Sequence, residues 1–346
     1  MTKEIEDLEP RRKAPKILLA HGGGGLASSE LLLRTILPAL ANPVLEKLGD
    51  SAVLDLPSLR LAFTTDSFVV TPVRFPGGDL GRLCVAGTVN DLAVAGARPL
   101  ALSLACVLPE GFLMEEFASL LASARRTADE VSCPIVTGDT KVMEHAALDS
   151  PVFTTSGVGI IELDDPPDAT RVRPGDSVLV SGTLGDHAVA VMSAREGLSF
   201  DTPVRSDAAP LWPLVERLCR SGAEIRFMRD PTRGGLAAAV NDLARAAGLH
   251  VELDEEAIPV SRAVLAACDM LGLDPLNAAN EGKILVVVPG ADSDRALEAL
   301  RSHPLGAGAS VIGRMTAEPP GVTVRTRLGT SRVLDVPYGE ELPRIC

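Results

Sequence analysis

Two α/β domains separated by one aperiodic connection are what this chain predicts, on three observations. Short apolar or β-branched runs alternate with helix-patterned segments along most of its length, the pattern of sheets covered by helices. The alternation breaks at DDPPDATRVRPGD (164–176), which is charged, proline-bearing and without periodicity. Hydrophobic residues make up 46% of the 346 but aromatics only 3%, so the core has to come from Ala, Val, Leu and Ile, which let helices sit close to a sheet.

In the first block, LRLAFTTDSFVV from Leu59 reads as a strand entering a turn at Asp66, with a second short strand before Pro72. PGGDLG (76–81) is a loop, and 83–97 a buried helix stopped near Gly96 and Pro99, with Asn90 and Asp91 on its less apolar side. ALSLACVLP (101–109) is a buried strand. Residues 114–130 place Phe117, Leu120, Leu121, Ala124 and Ala128 on one helical face. A strand at 134–136 then empties into GDTK, and a strand at 152–161 closes the block.

The second block repeats the style, with strands at 177–181, 225–228 and 284–288 and helices at 186–196, 234–247 and 292–301. After Val336, PYGEELPRIC has two prolines and no period, so a flexible extended tail is expected, spanning roughly 33 Å at ~3.3 Å per residue. The predicted divisions are an N-terminal extension (1–16), a first domain (17–165), a second (166–336) and the tail (337–346).

Thirty-three basic against 46 acidic residues give a net charge of -13, which repels a nucleic-acid backbone. The apolar run Ile17 to Ala20 is too short for a secretion signal, and no stretch approaches the ~18 residues of a membrane span. A cytoplasmic protein with no nucleic-acid or membrane partner is expected.

Four motifs set an Asp beside an expected element end: TTDS (64–67), VNDL (89–92), GDTK (138–141) and RDPTRGGL (229–236). Carboxylates converging from several loops hold Mg²⁺ together with substrate phosphates; each Asp alone is as readily a cap or turn residue. HGGGG (21–25) reads either as an anion-binding loop or as a linker, and His21 has no assigned role. Glu281 in NEG (280–282) stands at a strand entrance where a base would serve, or is simply solvated. Of six cysteines, Cys84, Cys106, Cys133, Cys219 and Cys268 lie in apolar or helical segments as small hydrophobes. Cys346 ends the chain and is expected to be exposed, as a nucleophile or attachment point.

Taken together, TTDSFVV, AGTVNDLAVAGARPL, VTGDTKV, RDPTRGGL, ANEGK and the terminal PRIC resemble the HypE family of hydrogenase maturation factors, over about residues 18–346. That family lies within the superfamily of aminoimidazole ribonucleotide synthetase and selenophosphate synthetase. The acidic motifs are those of the superfamily; the C-terminal Pro-Arg-Ile-Cys is that of HypE. The resemblance implies the aminoimidazole ribonucleotide synthetase-like α/β (α+β) fold, with an N-terminal ATP-binding domain whose sheet forms a homodimer. It implies ATP and Mg²⁺ as cofactors: Asp66, Asp91, Asp139 and Asp230 for the metal, and Asp66, Asn90, Asp91, Asp139 and Thr140 for ATP. Lys141 and Glu281 would move protons, and Cys346 would carry the substrate group.

The implied reaction is ATP-dependent dehydration of an S-carbamoyl group on Cys346 to a thiocyanate, through O-phosphorylation and loss of phosphate. It would supply the cyanide ligand for the iron of a nickel–iron hydrogenase. The implied partners are the carbamoyltransferase HypF and the HypC–HypD scaffold. Residues 1–16 and Met143-Glu144-His145 carry no role in this resemblance. A selenophosphate synthetase-like enzyme would want a Cys near the Gly-rich loop, whereas the first here is Cys84. A non-catalytic nucleotide-binding scaffold is the other rival; ATP hydrolysis requiring a carbamoylated Cys346 would exclude it.

Overall fold

The computed structural model describes residues 25–40, 42–43, 45–197, 204–337 and 345–346. The extension 1–16, His21, the glycines of HGGGG other than Gly25, and tail residues 338–344 lie outside the described residues.

After two short helices, α1 (Leu26–Leu31) and α2 (Leu37–Leu40), the first half forms one five-stranded sheet. Its strands are β1 (Ala52–Asp55), β2 (Arg60–Phe68), β5 (Ala97–Pro109), β6 (Ile135–Met143) and β7 (Val152–Ile161), in the order β1-β2-β7-β5-β6. A two-stranded ribbon, β3 (Arg74–Phe75) and β4 (Gly78–Asp79), leads into helix α3 (Leu80–Val94). β5 and β6 pair parallel, as a crossover through α4 (Met114–Glu130) requires; the other neighbours are antiparallel. Asp79 caps α3, its carboxylate accepting from Arg82 N at 2.8 Å.

The second half forms a seven-stranded sheet, β14-β13-β10-β12-β8-β11-β9. Its strands are β8 (Ser177–Val180), β9 (Phe227–Arg229), β10 (His250–Asp254), β11 (Leu285–Val288), β12 (Ser310–Thr316), β13 (Gly321–Arg325) and β14 (Ser331–Val333). Helices α5 (Asp186–Glu196), α6 (Trp212–Arg220), α7 (Gly235–Ala247), α8 (Arg262–Leu271) and α9 (Ser293–Arg301) surround it. The run LVVV on β11 is apolar without alternation because both faces are covered. Leu285 and Val287 join Val178, Val180 and the α7 residues Leu236 and Val240 on one side. Val286 and Val288 join Leu179 and the α6 and α9 residues Leu214, Leu218 and Leu300 on the other.

That second cluster continues through Leu211 and Trp212 into Leu83, Leu120 and Phe153 of the first half. The two halves therefore share one apolar core, with α6 packed against α3.

Several expectations shift. Asp66 lies inside β2, paired with Thr155, and no second strand precedes Pro72. GDTK is not a turn: strand pairing carries β6 through it, with Asp139 opposite Ala105 of β5. Asp91 is inside α3, so of the four motif aspartates only Asp230 sits at an element end. The Asp79 cap starts α3 three residues earlier than its apolar pattern suggests, and the helix is buried on almost every side, Asn90 included. α6, α8, β10 and β12–β14 are elements beyond those expected from the sequence.

Candidate active site at the domain seam

Four carboxylates meet where the first sheet faces the turn after β9. Thr64 on β2 donates to Asp91 Oδ2 at 2.7 Å and Ser51 Oγ donates to the Asp91 carbonyl at 2.9 Å, fixing α3 against β1 and β2. Asp50 pairs with Arg229 at 3.2 Å, and Arg229 also reaches Asp242 on α7 at 3.3 Å. Asp66 faces Arg233 at 3.8 Å. Burial holds all four carboxyls above the usual carboxylate range, Asp91 well above it; the charges of Asp50 and Asp230 add to the effect on Asp91. Asp230 is raised to about 7, by burial first and then by Asp50, with Arg229 opposing. Negative charge is thus in excess here. Among the described residues no three acidic, His or Cys side chains already converge as a metal-ligating set.

The adjoining loop carries Glu281, 2% exposed. RDPTRGGL turns so tightly because Gly234 and Gly235 take positive φ, 76° and 59°. A Cβ on Gly235 would lie 2.6 Å from the carbonyls of Leu276 and Ala278. Asn280 ties the motifs together: Nδ2 donates to Pro231 O at 2.9 Å and Oδ1 accepts from Gly185 N at 2.8 Å. Asp207 pins the other side of the loop, accepting from Glu281 N (3.1 Å), Gly282 N (3.2 Å) and Lys283 Nζ (3.0 Å). Burial alone would raise the Asp207 carboxyl, but Lys283, His187 and these N–H donors outweigh it and hold it below its ordinary value. Glu281 is the opposite: Oε1 is buried with no hydrogen-bond partner, and burial, then Asp230, Asp207 and Asp66, push its pKa well up against Arg233.

The end of the chain reaches the same unit. Ile345 is 2% exposed and joins the core shared by both halves, and Cys346 packs beside it half-buried. The terminal thiol is therefore not exposed merely by being last: the apolar side chain before it draws the end inward. The Ile345 carbonyl lies 2.8 Å from Nε2 of His187, near the start of α5.

The predicted residues thus separate. Asp66, Asp91, Asp230 and Glu281 share one electrostatic neighbourhood. Asn90 Nδ2 donates to Ala209 O and Glu281 O, both at 3.2 Å, and its Oδ1 accepts from Leu211 N at 2.8 Å. Both amide protons are spent on backbone, so Asn90 supports the Glu281 loop. Asp139, Thr140 and Lys141 lie exposed on β6, three strand spacings from β2, roughly 14 Å at ~4.8 Å each. Arg229, Arg233 and Lys283, unassigned from sequence, sit inside motifs already singled out. Asp50, His187 and Asp207 had no such signal, since only tertiary contacts give them neighbours.

Residues 48–161 match the AIR synthase related protein N-terminal domain and 173–325 its C-terminal domain, the class that the two sheets and the acidic seam define. The chain is 47% identical to the carbamoyl dehydratase HypE of Rhodobacter capsulatus, over 96% of this chain and 98% of that one. It superimposes on HypE in a HypE–HypF complex with a TM-score of 0.85 at 42% identity, covering 89% of this chain and 99% of that one. HypE in complex with ATP gives a TM-score of 0.80 at 43% identity, covering 96% and 100%. This chain belongs to the carbamoyl dehydratase HypE family.

Proposed function

We propose that the chain dehydrates an S-carbamoyl group on its own Cys346 to a thiocyanate at the seam around Glu281, using ATP, in the maturation of a nickel–iron hydrogenase. One observation carries this reading: the docked C-terminal dipeptide and a buried carboxyl with an unpartnered oxygen belong to one hydrogen-bonded unit, bridged by Ser206 and Asp207. The relatives crystallised with ATP and with HypF support the choice of nucleotide and of loading enzyme.

The carbamoyl oxygen is a poor leaving group. Attack of that oxygen on the γ-phosphorus of ATP, with ADP leaving and one N–H proton lost, then departure of phosphate with loss of the second N–H proton, leaves S–C≡N. Glu281 is the base: burial makes its carboxylate a stronger proton acceptor than a solvated one. Asp207 and Asn90 hold the Glu281 backbone in place. The crowded, mutually repelling carboxylates suit a divalent cation, so Asp66, Asp91 and Asp230 would hold Mg²⁺, which needs only a few carboxylates beside phosphate and would offset phosphate charge.

Asp139, Thr140 and Lys141 enter through a second copy. β6 is an edge strand exposed on both faces, and Val136 and Val142 on it, with Leu54 on β1 and Phe63 on β2, leave apolar side chains open. A homodimer formed by this sheet would place Lys141 of one copy toward the seam of the other. Among the described residues no helix is long and apolar enough to cross a membrane; we assign the reaction to the cytoplasm, with a HypC–HypD scaffold receiving the cyanide.

The test is mass spectrometry of the C-terminal peptide after loading by HypF and then after ATP and Mg²⁺, with Cys346→Ala as control. Gain of one carbamoyl followed by ATP-dependent loss of one water is expected. Loading without water loss would reduce the chain to a carrier.

A further inference from the structure

His187 has no part in the chemistry above, yet it is completely buried and holds the chain's penultimate residue. Its ring stands edge-on to Phe75 of the first half, centroids 5.3 Å apart. Both ring nitrogens are engaged. A carbonyl only accepts, so the 2.8 Å contact to Ile345 O places the proton on Nε2. Nδ1 then accepts from Ser206 Oγ at 2.8 Å, and that oxygen accepts from Ala208 N at 3.0 Å. Burial lowers the pKa of the imidazole, with the Asp207 charge and the Ile345 hydrogen bond opposing.

The residue next to Ser206 is Asp207, whose carboxylate receives three donors from the Glu281 loop. Ser206 N in turn donates to Pro76 O at 2.7 Å, anchoring the pair to the first half. Two successive residues therefore carry the seat of the tail on one side and the seat of the base on the other.

We infer that His187 is a positioning residue: by donating Nε2–H to the Ile345 carbonyl, it holds Cys346 in a fixed frame with Glu281, through Ser206 and Asp207. The inference deepens the proposed reaction and rests on Cys346 being the carrier. Its geometry is independent of the identity of the terminal side chain, because the contact is to backbone; Ile345 adds the apolar anchor.

His187→Leu fills similar space without a donor, and His187→Gln returns an amide donor near Nε2. Two readouts are taken on full-length protein: the iodoacetamide alkylation rate of Cys346, read on the C-terminal peptide before loading, and the single-turnover rate of water loss after loading. Leaving the buried carbonyl unpaired should raise Cys346 alkylation about tenfold in the Leu variant and slow water loss by a similar factor. His187→Gln should stay near wild type in both, and Ser206→Ala should fall between, with ATP binding unchanged throughout. Wild-type alkylation and turnover in the Leu variant would overturn the inference, as would a Gln variant as impaired as Leu, which would assign His187 to packing alone. If wild-type protein loads but never loses water, the dehydratase reading fails, and the alkylation contrast still decides whether His187 seats the tail.

Discussion

GDTK at 138–141 and NEGK at 280–283 look alike in sequence: an acid and a lysine in a short polar stretch beside an apolar run. Their surroundings are opposite. GDTK lies on an edge strand with both faces open, and NEGK lies in a seam where Asp207 binds two successive backbone N–H groups and the lysine. A polar motif on an open edge presents side chains to whatever arrives. The same kind of motif in a shared core has its backbone fixed and its acid made more basic by burial. On the proposed reaction, the open edge would meet a partner and the buried acid would move a proton.

The largest expected effect tests the buried member. Glu281→Gln keeps shape and removes the base, so water loss from loaded Cys346 should slow by ~10²–10⁴-fold. Thermal stability should hold or rise, because a desolvated carboxyl becomes a neutral amide. A rate near wild type would end the contrast between the two motifs.

Next is Asp207→Asn, which leaves Lys283 buried without its counter-ion, at a cost of about 3–5 kcal/mol in denaturant unfolding at pH 7. Because the folded Asp207 carboxyl lies below its unfolded value, its stabilisation is present above pH ~4 and lost as pH falls through the lower folded value. The wild-type advantage over Asn should therefore shrink in strong acid. An advantage unchanged there would remove Asp207 as the loop's electrostatic anchor.

Asp230→Asn reverses the sign. With a folded pKa raised to about 7, Asp230 binds a proton more tightly folded than unfolded, so its penalty grows as pH rises from ~4 to 7. Without ATP or Mg²⁺ the Asn variant should melt a few °C (~4) higher than wild type at pH 8 and nearly level with it at pH 4. It should also bind ATP with Mg²⁺ more weakly. Equal melting differences at both pH values would contradict the crowding of Asp50, Asp91 and Asp230.

The smallest effect falls on the open motif. Lys141→Ala should change stability by less than ~0.5 kcal/mol. If Lys141 serves the other copy, mixing Lys141→Ala chains with Glu281→Gln chains should restore about a quarter of wild-type turnover, since half the dimers carry one intact site. No recovery after subunit exchange, confirmed by native mass spectrometry, would place Lys141 outside the partner's site.

The alternation of strands and helices was legible because period and turn chemistry are local: α4 and β7 fall where their patterns end. The reading of GDTK as a turn failed because β5 offers it a complete parallel ladder, which local propensity does not encode. The acidic motifs were legible as residue types. Their division was not, since it depends on β7 and β5 lying between β2 and β6. Asp207 and His187 were invisible for the same reason. Asp207 sits in an aperiodic stretch and acts 74 residues away, on the backbone of Glu281; His187 acts 158 residues away, on the backbone of Ile345.

The apolar core running without a break from Phe153 to Leu300 ties the two halves together. If Cys346 is loaded by another enzyme, as proposed, Ile345 has to leave that core first. Each departure strips Ile345 of its packing, a toll of about 1.5–3 kcal/mol for a side chain of that size. On that proposal the residue before the cysteine would act as a catch that biases the chain's end toward its seat.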